Sequence, residues 1–330
     1  MPVGQTNRRA VIAGLGSATA WPLAARAQAY PTRPIMMIVP YGAGGPTDTV
    51  ARIIAEGMRK GLGQPIIVEN VAGASATIGV GRLARVAGDG YTIGVGNWAS
   101  QVLNGAVFTL PYDLVKDFRP IAQIASDPQV IIARKDMPAN SLRELIAWLQ
   151  ANPDRATQGT GGAGSTSHVM GALFQRETST RFRFVPYRLG VGAALQDLMA
   201  GHIDLMFSVA ANCVPQLRAG TIKGFAVTAD SRLAVAPEVP TVDEAGLPGF
   251  YVSNWHGVWA PKGTPDAIIN TLDAAILDAL ADAKVRQQLT DLGQEIPPLD
   301  RQKPDGLAEL QRAEIEKWWP IVKTANIRAE

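Results

Sequence analysis

The sequence has one cysteine, Cys213, in 330 residues, which excludes an internal disulfide and a cysteine-rich metal site. Histidine is nearly as scarce. His168, His202 and His256 fall in no HxxxH or HExxH spacing, so a histidine-held metal is not expected. Charge is balanced to a formal net +2, too little of either sign to specify nucleic acid or an anionic membrane as partner. No Gly-x-Ser-x-Gly elbow occurs. Gly42-Ala-Gly44 is not a dinucleotide fingerprint, because the third glycine of that pattern would fall on Thr47. No cofactor is expected. After the N-terminal stretch no segment is apolar enough to span a bilayer.

What is there is globular composition, 47% hydrophobic, on a chain long enough for two lobes with real cores. Arg8-Arg9 precede an apolar run rich in glycine and alanine, Ala10 to Leu23, followed by Ala25-Arg-Ala27 and Ala27-Gln-Ala29. This reads as an export signal over 1–29, cleaved near Gln28 or Tyr30, with an arginine pair that suits the twin-arginine route. The alternative is an uncleaved anchor, which the shortness of the run disfavours.

From Ile35 onward, short buried runs alternate with helical periodicity. Ile35–Val39, Ile66–Val68 and Tyr91–Val95 read as strands. Val50, Ile53, Ile54 and Met58 place one apolar face on a helix from Pro46 to about Leu62. Strand, helix, strand, helix, strand at this spacing specifies an α/β fold with a mostly parallel sheet. Ile121–Ile124 and Val130–Ala133, broken at Asp127-Pro128, mark a crossing into a second lobe of similar build. Ser141 with Glu144 forms a capping box for a helix over Leu142–Leu149. Further helices are expected from Ser165 to about Glu177, over Ala193–Ala200, from Thr264-Pro265 through Leu280 and over Glu309–Ala325. Val252–Ala260 reads as an extended return crossing.

Two glycine loops stand out. In the first, Tyr41-Gly-Ala-Gly-Gly-Pro46 links a strand to a helix. Pro46 suits the first helical position, and Gly42, Gly44 and Gly45 can take positive φ and admit a ligand to the backbone. In the second, Gly159-Thr-Gly-Gly-Ala-Gly-Ser-Thr-Ser-His168 also precedes a helix. Free amides at a helix N-terminus favour an anion, so the pair suggests an anion held between two lobes. The loop Gly96–Gln101, with Asn97 and Trp98, leaves a strand end, where ligands sit in open α/β sheets.

Taken in order, these residues are familiar. Val39-Pro-Tyr-Gly-Ala-Gly-Gly-Pro-Thr-Asp48, Val68-Glu-Asn70 with Gly73, Asp89-Gly-Tyr-Thr92, Pro111-Tyr-Asp113, Asp117-Phe118 and Gly164-Ser-Thr-Ser-His168 come first. Val185-Pro-Tyr187, Ala226-Val-Thr228, Val239-Pro-Thr241, Glu244-Ala-Gly246 and Ala260-Pro261 follow. From about Pro34 to the C-terminus the chain resembles the Bug family, extracytoplasmic solute receptors of tripartite tricarboxylate transporters. The resemblance implies a two-lobed, type II-like periplasmic-binding-protein fold with the ligand cleft between lobes. It puts lobe 1 at 30–127 plus 248–330 and lobe 2 at 128–247. It further implies a monomer in the periplasm that captures a small carboxylate and delivers it to membrane permease subunits, without catalysis.

By position, the resemblance points to Tyr41, Gly42, Ala43, Gly44 and Gly45 in the first loop. In the second it points to Gly161, Gly162, Gly164, Ser165, Thr166, Ser167 and His168. Two departures stand out. Tyr187-Arg188-Leu189-Gly190 is one residue longer than the family's usual basic residue followed directly by glycine. Ser208 stands where relatives often carry an aspartate that could serve an amine, so an organic acid without an amine is expected, either a dicarboxylate spanning both loops or an aromatic carboxylate using Trp98 or Trp255. Arg188 offers a positive charge, and Trp98 and Trp255 are candidates to line the cleft.

Blander roles compete with several of these. Asp48 more naturally bonds loop amides than an anion it would repel. Ser165, Thr166 and Ser167 could be helix caps, His168 a structural hydrogen bonder, Arg188 a solvated charge, and both tryptophans core. The rival classes are a secreted transferase or hydrolase using the loops as an anion hole, and a ligand sensor with no transport role.

Overall fold

The computed structural model describes Met1 and residues 30–162, 164–187 and 191–324. The export-signal reading, Arg188 and Gly190 therefore lie outside the described residues. The first sheet is built from β1 (Ile35–Val39), β2 (Ile66–Asn70), β3 (Thr92–Asn97) and β4 (Phe118–Ala125). The chain then makes β5 (Gln129–Arg134), β6 (Thr157–Thr160), β7 (Arg183–Pro186), β8 (Leu205–Val209) and β9 (Ile222–Val227) in a second sheet, and returns with β10 (His256–Pro261). The orders are β2-β1-β3-β10-β4 and β7-β6-β8-β5-β9.

The sheets share one logic, a mostly parallel set of four strands with one strand reversed. In the first sheet β1 pairs parallel with β2 and β3, while β10 is antiparallel to both β3 and β4. In the second, β6 pairs parallel with β7 and β8, while β5 is antiparallel to β8 and β9. Each sheet is therefore mixed, and its reversed strand is the one that enters from the other lobe. A crossing chain arrives from the far side and can only join the sheet head to tail. The reading of Val252–Ala260 as a crossing thus understated its end, since β10 is a fully buried sheet strand.

The helices follow the predicted pattern with some additions. α1 (Pro46–Leu62) buries Val50, Ala51, Ile54, Ala55 and Met58 on one face and stops at Gly63, whose φ is 65°. α2 (Thr77–Leu83) follows and buries Val80 and Leu83. A π-helical turn at Ala99–Leu103 leads into α3 (Asn104–Val107). α4 (Leu142–Ala151) has the expected Ser141 cap, with Glu144 N donating to Ser141 Oγ at 3.2 Å, while the Glu144 carboxylate reaches one residue further back than a capping box and accepts from Asn140 N at 2.8 Å. α5 (Thr166–Thr178) and α6 (Val191–Met199) follow.

α7 (Ala210–Arg218) was not foreseen, because Asn212, Cys213 and Pro215 are poor helix formers. α8 (Asp266–Ala281) packs against α1 so closely that a Cβ on Gly57 would sit 2.7 Å from Ala279 Cβ. α9 (Ala283–Asp291) precedes α10 (Pro304–Thr324), which starts five residues before the Glu309 expected.

Among the described residues three buried clusters result. One lies between the first sheet and α1 and α8, and one lies under α6 and α7 on the second sheet. The third runs from Trp98 and Trp318 in the first lobe to Phe174 and Phe207 in the second. The two crossing chains lie side by side. Ser126 Oγ is 2.7 Å from Ser253 Oγ, Asn254 N donates to Asp127 O at 3.0 Å, and Pro128 bridges Ser253. No described helix is long and apolar enough to cross a membrane.

Candidate functional site

β1 ends at Val39, and the chain must turn before α1 can cover the sheet. Gly44 takes φ 79° in that turn, whereas Gly42 and Gly45 do not need positive φ; Gly45, at φ −77°, is the N-cap. The loop is held from behind. Asp48 Oδ2 accepts from Gly44 N at 2.8 Å and from Arg52 Nε at 3.0 Å, and Asp48 Oδ1 accepts from Asn70 Nδ2 at 2.8 Å. Burial alone would raise this carboxyl, but these bonds outweigh it and hold the pKa below the ordinary range. Asp48 is buried and acts on the loop, outside the cavity wall.

The second loop is built the same way with neutral groups. Ser165 caps α5, accepting from His168 N at 3.3 Å. His168 Nδ1 accepts from Gly164 N at 3.2 Å, and Ser167 Oγ accepts from Gly161 N at 3.1 Å. Burial pushes His168 below its ordinary range, which keeps the ring neutral and able to accept. Gly164 has φ 74°, and a Cβ there would meet Val107 Cγ1 of the first lobe at 2.8 Å.

The two loops face one cavity of about 660 Å³ between the sheets. The first lobe contributes Tyr41, Gly42, Ala43, Gly45, Thr47 and Asn97. The second contributes Gly161, Ser165, Thr166, Ser167, Phe207 and Ser208. Gln129 and Asn254, from the two crossing chains, close the floor, and Val191, Val209 and Asn212 complete the second-lobe wall. Among the described lining residues none carries a formal charge. The site is instead ringed by starts of helices α1, α5, α6 and α7, whose first-turn amides have no acceptor within their own helix. That arrangement supplies fixed donors and positive potential without a counter-charge.

Beneath the first-lobe wall runs a buried polar chain. Tyr41 OH donates to Asn97 Oδ1 at 2.7 Å, Asn97 Nδ2 donates to Thr47 Oγ1 at 3.2 Å, and Thr47 Oγ1 lies 3.1 Å from His256 Nε2. Burial pushes Tyr41 up to about 12 and His256 down to about 4, so both are neutral at pH 7.

Several expected residues do other work. Trp98 is fully buried with its ring 4.8 Å from that of Trp318 at 77°, and Trp255 packs at 6.1 Å on Trp259. Trp98 N donates to Trp255 O at 2.9 Å, which continues the β3–β10 ladder. Both indoles are thus core, packed where β3 ends and where β10 begins. Tyr187 OH donates to Asp197 at 2.6 Å, away from the cavity. Gly44, Gly162, Gly164 and His168 shape the loops without lining the space.

Pro46, Thr47, Gln129, Val191, Phe207, Val209, Asn212 and Asn254 line the cavity without having been singled out for it in the sequence. Thr47 had a signal, since it sits in the first turn behind Pro46. Gln129 and Asn254 had none, since their meeting depends on how the crossing chains register. Among the described residues no group of three or more His, Cys, Asp or Glu is placed to hold a metal ion. The Cys213 thiol is buried and pushed up to about 12 by burial.

A two-lobed α/β chain with helix starts converging on an uncharged interlobe cavity is, as a class, a solute-binding protein. Residues 50–327 match the tripartite tricarboxylate transporter family receptor, TctC, and the chain belongs to that family. It is similar to the periplasmic binding protein BugD, at 36% identity and TM-score 0.78 over 91% of this chain and all of that one. It is similar to MatC from Rhodopseudomonas palustris with bound malate, at 40% identity and TM-score 0.77 over 89% and 100%. A second R. palustris protein, solved with adipate, is 32% identical at TM-score 0.80 over 91% and 100%.

Proposed function

We propose that this protein is a periplasmic, monomeric receptor that binds a small dicarboxylate in the interlobe cavity and presents it to the permease subunits of a tripartite tricarboxylate transporter, without turning it over. The observation that carries the reading is the convergence of two glycine loops, each opening a helix, on one cavity with no charged described side chain. Each loop can take one carboxylate from its own lobe. Ser208 supplies no acid for an amine, and Trp98 and Trp255 are committed to the core, which removes the support for an aromatic acid. Two relatives that hold malate and adipate support the same ligand class. A micromolar affinity needs about 8 kcal/mol, within reach of several charge-assisted hydrogen bonds at about 1.5–3 kcal/mol each.

In this reading the lobes are 30–127 plus 248–330 and 128–247. They close by bending at the paired crossings near Asp127 and Asn254. A thermal-shift screen of C4 to C6 dicarboxylates, amino acids and neutral amides tests the ligand class. A ligand at 100-fold excess over Kd should stabilise by about 2.7 kcal/mol. Stabilisation by amino acids or amides alone would refute it. Recovery of the bound acid unchanged by mass spectrometry tests the absence of turnover. Scattering with and without that acid should show a smaller radius when bound.

A further inference from the structure

The geometry points to a fixed hydrogen-bond polarity at one point of the first-lobe wall: His256 holds the Thr47 hydroxyl as a donor into the cavity, so that point reads an acceptor such as a carboxylate oxygen and rejects a donor. The consequence for ligands rests on the receptor reading above; the proton assignment does not.

The assignment starts from a group with no choice. The Ser100 backbone N–H must donate, and it lies 3.0 Å from Asn97 Oδ1. That fixes the Asn97 amide: its oxygen takes Ser100 N–H and Tyr41 O–H, and its nitrogen faces Thr47 Oγ1 at 3.2 Å as a donor. Thr47 Oγ1 therefore already accepts once.

The remaining question is His256. The ring is fully buried and neutral at pH 7, so it carries one N–H. Its Nδ1 has no partner, while its Nε2 sits 3.1 Å from Thr47 Oγ1. A buried N–H left without an acceptor is rarer and more costly than a bare lone pair. The proton thus belongs on Nε2, and Thr47 Oγ1 accepts a second time. With both lone pairs used, the hydroxyl hydrogen has to find an acceptor elsewhere. No described protein group takes it, and Thr47 lines the cavity. Tyr41, its own proton given to Asn97, can offer the cavity only an acceptor oxygen.

His256 is a positioning residue in this scheme, one layer below the ligand. β10 brings it there by pairing His256 with Asn97 across the reversed ladder. The three groups thus come from α1, β3 and β10, segments far apart in the chain.

Nitrogen-15 labelling of histidine with a long-range proton–nitrogen correlation at pH 7 reads the tautomer without any ligand, with His168→Asn and His202→Asn variants assigning signals by elimination. The expected result is a neutral His256 protonated at Nε2; protonation at Nδ1, or an imidazolium, overturns the inference. Calorimetric titration with malate and adipate tests the consequence. Thr47→Val should weaken binding by about ten-fold or more, as expected for losing a donor to a charged acceptor, while Thr47→Ser stays within about three-fold of wild type. Equal affinity of Thr47→Val and wild type also overturns it. If wild type binds neither acid, the dicarboxylate reading fails and the tautomer alone decides this one.

Discussion

Asp48 Oδ2 accepts the Gly44 amide at 2.8 Å, so the carboxylate early in α1 faces its own loop and not the cavity. Asp48→Ala should cost about 1–3 kcal/mol, as expected when buried donors lose their acceptor, and should weaken ligand binding by loosening the loop. The folded pKa is depressed. Its contribution is therefore present above the unfolded value, about 3.9, and is lost as pH falls through the folded one. Urea unfolding from pH 7 to pH 3 should show a shallower acid loss in the variant below about pH 4.

The glycines of the first loop differ in what they tolerate. A Cβ on Gly44 meets nothing within 4 Å, but the backbone there has φ 79°. Gly44→Ala should destabilise by about 1–2 kcal/mol through left-handed strain alone. Gly45 sits at φ −77° with only Gly42 O at 3.4 Å from a Cβ, so Gly45→Ala should be milder in stability. Thermal unfolding of the two variants compares them, and equal losses would contradict this account of the turn.

Trp98 belongs to the core under α10 and packs edge-on to Trp318. Trp98→Ala should cost about 3–5 kcal/mol. Trp98→Phe should cost less and leave affinity within about two-fold of wild type under conditions where both are folded. A large change in affinity for Trp98→Phe with unchanged stability would return this indole to the ligand.

Two buried groups should give opposite pH slopes. Burial holds His256 at about 4, below an unfolded value of about 6.5. The unfolded chain then binds more protons between these values, and stability falls as pH drops through that window. Burial pushes Asp127 up to about 8. The folded state holds that proton, so stability declines as pH rises from about 4 toward 8. Asp127→Asn should therefore stabilise more at pH 8 than at pH 5, measured by melting temperature, whereas His256→Gln should flatten the slope between pH 4 and pH 6.5.

The sequence by itself determined the α/β alternation, the ends of β4 and β5 around Asp127-Pro128, the helix cap at Ser141 and the two loops that open α1 and α5. These are local matters of periodicity, capping chemistry and the backbone freedom of glycine, and each can be read within a dozen residues. It also carried the family resemblance, in the order and spacing of short motifs. Only the tertiary structure decided that β10 and β5 run against their sheets, because strand direction depends on which lobe the chain arrives from. The same packing turned Trp98 and Trp255 inward, brought Gln129 beside Asn254 at the floor, and set His256 under Thr47 across 209 residues of chain. Those outcomes depend on sheet register and lobe crossing, which fix contacts between segments that share no local pattern.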